Sequence, residues 1–99
     1  MWKDVTSYSQ SDTNRVPKVF ELILENNSEI LGIKITSNHL YYPDTWLLNC
    51  LRLNIKELEM GSTKDLTLKQ AQNKAIEICK NKAFNYLKLL GDYQLLNHE

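Results

Sequence analysis

The feature that most limits what this chain can fold into is a pair of alternating apolar runs with a short polar break between them. Residues 16–25 read VPKVFELILE and residues 29–36 read EILGIKIT. Side chains in a strand point alternately to opposite faces. In the first run Phe20, Leu22 and Leu24 share one face, while Val19, Glu21, Ile23 and Glu25 share the other. In the second, Leu31, Ile33 and Ile35 oppose Ile30, Gly32 and Lys34. Asn26 and Asn27 fall between the runs and tolerate left-handed backbone. The pattern predicts a β-hairpin whose two apolar rows line the core. Pro17 lacks an N–H and suits a strand start or an edge.

A second constraint lies further along. Thr67 followed by Gln70 matches a capping box, and a long apolar stripe follows it. Ala71, Ala75, Cys79, Ala83 and Leu87 recur every four residues, with Leu68, Ile76, Ile78, Phe84, Tyr86 and Leu90 beside them. This predicts a helix over 68–90 with Gly91 as its C′ residue. Its small central residues let the axis lie close to a sheet. Such a helix is about 34 Å long, against roughly 26 Å for an eight-residue strand. Its last turns are therefore predicted to overhang the sheet.

Between hairpin and helix, 46–53 (WLLNCLRL) alternates as a strand, with Trp46, Leu48 and Cys50 as the core row. Residues 54–64 read as a connector turning at Gly61, with Leu58 and Met60 plugging the end of the core. Residues 1–15 form a polar arm in which 5–9 stands open between a short first strand and a loop. The expected fold class is α+β: an antiparallel three- or four-stranded sheet followed by one long C-terminal helix packed on one face. The single domain spans 16–99 after the arm. Ninety-nine residues, 42% of them hydrophobic and 24% charged, suit one domain with its own core.

Little in the sequence supports catalysis. His98 lies next to the last residue, so His39 is the one well-placed imidazole. Asp44 could orient it, but Cys50 sits mid-strand in apolar surroundings, where a thiol is normally inert. No catalytic residue, cofactor site or metal site is assigned. There is no CxxC or HExxH, and three scattered glycines cannot build a phosphate-cradling loop. The expectation is a protein that is not an enzyme and has no small-molecule substrate. Cys50 and Cys79 read as buried reduced thiols. No window approaches the apolar length of a membrane span, and MWKDVTSYSQSDTNR lacks the apolar core of a secretory signal, so the expected location is the cytoplasm.

Candidate contacts remain. HLYYPDTW joins the second hairpin strand to the next one, and Pro43 and Asp44 supply its turn chemistry. Neighbouring Tyr41 and Tyr42 point opposite ways, so one packs inward and the other faces solvent. Tyr8, His39, Tyr41, Tyr42 and Asp44 are the candidate partner-binding residues. In the overhang Phe84, Tyr86, Leu90 and Tyr93 are candidate oligomer contacts. The overhang either folds back on its own domain or forms a dimer.

The SYSQSD arm, the hairpin, YYPDTWLLNC and a helix opening TLKQAQNKA together resemble small α+β proteins carried by prophages and other mobile elements. The last segment also resembles the helix start that follows three strands in arm-binding domains of tyrosine recombinases. Those domains usually carry basic sheets, whereas here Lys plus Arg equals Asp plus Glu at 12 each. The expected function is protein–protein contact by an accessory protein, either with another protein or by self-association. Nucleic-acid binding is the alternative.

Overall fold

The computed structural model describes residues 1–7 and 16–91. They form a five-stranded antiparallel sheet in simple sequence order, followed by one helix. The strands are β1 (Trp2–Asp4), β2 (Val19–Asn26), β3 (Glu29–Thr36), β4 (Thr45–Cys50) and β5 (Ile55–Ser62), and the helix is α1 (Leu68–Gly91). The α+β class and the antiparallel order are as expected; the strand count is higher.

The hairpin is where the alternation puts it. Leu22 pairs with Ile33, Phe20 with Ile35 and Leu24 with Leu31, so the two apolar rows share a face. Asn27 and Ser28 make the turn with positive φ values of 50° and 70°. Ile35 also pairs with Leu48 of β4, which carries the same row across the sheet. Trp46, Leu48 and Cys50 are buried in that row. Leu47, expected on the far side, is buried too, between Thr36 and Glu59.

Two strand boundaries differ from expectation. The first strand is Trp2–Asp4 rather than 5–9, and Ser9 lies outside the described residues. Val5 still donates its N–H to the Val19 carbonyl (2.8 Å). Beyond it the Thr6 hydroxyl accepts from the amides of Lys18 (2.8 Å) and Val19 (2.9 Å), so a side chain takes over where the ladder stops. β4 ends at Cys50, and Leu51–Leu53 form a single 3-10 turn closed by Asn54 in the left-handed region.

The segment read as a connector is β5. Its alternation is broken by register shifts opposite Trp46/Leu47 and Leu48/Cys50, so Ile55 and Met60 are buried while Leu58 is half exposed. A bulge inserts an unpaired residue and hides the period of two. Glu57 carries the strain at φ 48°, and its N–H is taken by the Asn49 side-chain carbonyl at 2.8 Å. Gly61 lies within β5 at φ 145° rather than in a turn.

α1 starts as its capping box requires. The Thr67 amide donates to Gln70 Oε1 (2.9 Å) and the Gln70 amide to Thr67 Oγ1 (3.2 Å). Trp46 Nε1–H donates to the Leu66 carbonyl (2.9 Å), which pins the entry to β4. Ala71, Ala75 and Cys79 are the buried residues of the helix. They face Leu22, Ile33, Ile35, Leu48 and Met60 in one core. Ala83, the next residue of the stripe, is exposed, so packing on the sheet ends earlier than the spacing suggests. Gly91 continues the helix as its last described residue instead of capping it.

Ala75→Leu forces extra methylenes into this close contact and should cost about 1–3 kcal/mol. Ala83→Leu, at an exposed site, should stay within about 0.5 kcal/mol of wild type. Urea unfolding of both variants checks the pair, and an unchanged midpoint for Ala75→Leu would contradict the packing face.

Candidate functional site

The aromatic connector forms a tight turn. Tyr42 donates its N–H to the His39 carbonyl (3.0 Å), and Tyr41 donates to His39 Nδ1 (3.2 Å). The imidazole lies 5.8 Å from the Tyr41 ring and 5.7 Å from the Tyr42 ring, centre to centre. Tyr42 is half buried and Tyr41 is 78% exposed, so the expected division between the two tyrosines holds. Leu40, at 83% exposure, stands beside Tyr41 at the tip. The sequence reading passed over Leu40, because a lone leucine in a turn carries no periodic signal.

Asp44 does not orient His39. It sits at φ 54°, and its backbone N–H bonds the Asn38 side-chain carbonyl (3.0 Å). His39, Tyr41 and Tyr42 are therefore brought together, while Asp44 contributes through its backbone at the far end of the turn. Tyr8 lies outside the described residues.

Cys50 is nowhere near this rim. It is 1% exposed and packs in the core with Cys79; both thiols are free. The shallow cleft touching His39 is lined by Val5, Thr6, Lys18, Lys34 and Ser37 rather than by a thiol. Burial pushes the Cys79 thiol up to about 12, and the adjacent Cys50 adds to the shift by charge and by hydrogen bonding. Both effects favour the neutral thiol, the opposite of an activated nucleophile.

The far end of α1 is a different surface. Ala75, Cys79, Tyr86 and Leu90 fall on one helix face, so the stripe that packs on the sheet continues beyond it. Phe84 (62%), Leu87, Leu89 and Leu90 (72%) are exposed. Tyr86 is the last tie to the domain among the described residues: its hydroxyl reaches the Leu53 carbonyl at 3.5 Å, and the Lys82 ammonium lies 5.7 Å from its ring centre. Of the expected contacts, Phe84, Tyr86 and Leu90 occupy this end, and Tyr93 lies outside the described residues.

A third surface is the open face of the sheet. The sheet face away from α1 holds a trough of about 570 Å³ over Gly32, lined by Glu21, Ile30, Lys34, Asn49, Leu51 and Arg52. Its apolar walls, Ile30 and Leu51, are exposed, and Ile23 is the cross-strand partner of Gly32. The alternation sets Ile23, Ile30 and Gly32 opposite the core row, so the trough lies on the face that it leaves open.

No protein-family model, curated protein or solved structure matches the chain. Among the described residues no group of three or more His, Cys, Asp or Glu side chains could hold a metal ion. No described helix is long and apolar enough to cross a membrane.

Two outcomes follow from this geometry. Cys79 has a folded pKa above its ordinary 9, so its contribution to stability is complete below about pH 9 and is lost as pH rises toward 12. Urea unfolding between pH 8 and 10.5 should show a smaller alkaline loss in Cys79→Ala than in wild type. Tyr41→Ala, at an exposed tip, should leave the unfolding free energy within about 0.5 kcal/mol of wild type. A larger loss would place that ring in the core.

Proposed function

We propose that the protein is non-enzymatic and acts by protein–protein contact, with the projecting end of α1 as its main contact element. The observation that carries this is the exposure of Phe84, Leu87, Leu89 and Leu90 on successive turns of one ordered helix. Single exposed apolar residues need no explanation, but a contiguous group of this size is a contact surface.

The sheet edges support the same reading. β1 is three residues long, and on β5 the Lys74 ammonium bonds the Met60 carbonyl (2.7 Å). Short or lysine-guarded edges discourage strand addition, so contact falls to the helix end, the aromatic tip and the open sheet face. Several basic side chains are engaged locally: Lys74 is turned to the strand, Lys82 to Tyr86, and Lys34 is the cross-strand partner of Glu21. With equal numbers of acidic and basic residues, this favours protein over nucleic acid as the partner. The buried, unactivated thiols accord with a reducing cytoplasm.

A photo-crosslinking amino acid at position 87 tests the reading in cells making the full chain. The expected result is a covalent protein adduct from position 87 and none from position 69, an exposed site near the helix start. Absence of a protein adduct, or an adduct to nucleic acid, would overturn it.

A further inference from the structure

The helix end is apolar over more than one face. At 100° per residue, Leu89, Tyr86, Leu90, Leu87 and Phe84 span about 220° of its circumference. A packed partner helix covers a stripe of about 100°, so this end is matched by a broader surface. Its charge is one-sided: from Ile78 to Gly91 the charged residues are Lys80, Lys82 and Lys88, three positive and no carboxylate. Two such ends laid side by side would bring six ammonium groups together. The fitting surface is broad, apolar and edged by carboxylates.

The open sheet face has those properties at its hairpin end. Ile23, Ile30 and Leu51 are exposed around Gly32. A Cβ at Gly32 would have only Glu21 Oε2 near it, at 3.8 Å, so the notch is open to an incoming side chain. Glu25 and Glu29 edge this end opposite Arg52, giving two negative charges against one positive. Glu21 and Lys34, deeper along the face, offset each other as cross-strand partners. Arg52 lines one hollow with Asn26 and Glu29, and the neighbouring Leu53 carbonyl lies within reach of Tyr86. The acidic apolar surface and the basic apolar helix end therefore sit at the same end of the molecule.

We propose that the end of α1 in one copy docks on the hairpin end of the open sheet face in a second copy. The contact is exchanged reciprocally about a twofold axis. Leu87 and Leu90 meet Ile30 and Leu51, and Lys80 and Lys88 approach Glu25 and Glu29. A one-way version would propagate into an open chain, whereas the reciprocal version closes. This assignment rests on the protein-contact reading and names the partner as the chain itself.

Light-scattering mass across a concentration series, with charge-reversed full-length chains, tests it. The chain of 11.6 kDa should give twice that mass. Lys80→Glu/Lys88→Glu and Glu25→Lys/Glu29→Lys should each raise the dimer dissociation constant at least tenfold while keeping the wild-type far-UV circular dichroism spectrum. Mixed one to one, they should regain a heterodimer, because both contacts are then complementary. A wild-type monomer at every concentration would overturn the proposal. So would a Glu25→Lys/Glu29→Lys chain that stays dimeric, which would mark pairing of helix ends. Should either charge-reversed chain fail to fold, Leu51→Glu, at an 80% exposed site, serves instead, and an intact dimer there overturns the proposal. A monomer whose position 87 still crosslinks another protein defeats this inference alone. A monomer without any protein adduct defeats the contact reading as well.

Discussion

Ala71, Ala75 and Cys79 put no more than a methyl or a thiol between the axis of α1 and the sheet, and the architecture depends on that close approach. All three are almost fully buried against residues of β2, β3, β4 and β5. Larger residues would lift the helix and open voids around Ile33, Ile35 and Leu48, which are among the largest fully buried side chains of that core. The approach also fixes the helix in register, because Trp46 holds its entry and Tyr86 its exit. One element thus serves two ends: its first half completes the core, and its second half is carried outward with its apolar stripe intact.

That division explains why the conspicuous chemistry of the sequence does not assemble. His39 is held in a surface turn by its tyrosine neighbours, and Cys50 lies in the core beside a second thiol. Each is satisfied where it is. Among the described residues, the surfaces that expose large apolar side chains include the end of α1, the aromatic tip and the trough over Gly32. The end of α1 and the trough differ in charge: lysines alone from Ile78 to Gly91, and Glu21, Lys34 and Arg52 along the trough.

Much of the fold could be read in advance because local signals agreed with one another. The hairpin register followed from matched alternation around Asn26 and Asn27, and the helix start followed from Thr67 and Gln70. β5 could not be read because its bulges break the period of two and leave a run of four exposed residues, Leu58 among them, between buried Ile55 and Met60. The overhang was legible as a length mismatch between helix and strand. The open face followed from the same alternation, which set Ile23, Ile30 and Gly32 opposite the core row; the trough itself was not legible, since Leu51 and Arg52 reach it from a 3-10 turn where a continuing strand was expected.

Lys74 carries a consequence of another kind. Its ammonium reaches from the helix to a carbonyl on the outer strand, so the guard on that strand belongs to a different element from the strand it protects. Loss of α1 would remove the roof of the core and the guard of β5 in a single event. A partly opened molecule would then present a bare strand edge together with apolar side chains, the combination from which β-aggregation grows. Solubility during opening is therefore tied to how long the helix stays docked rather than to the sheet itself.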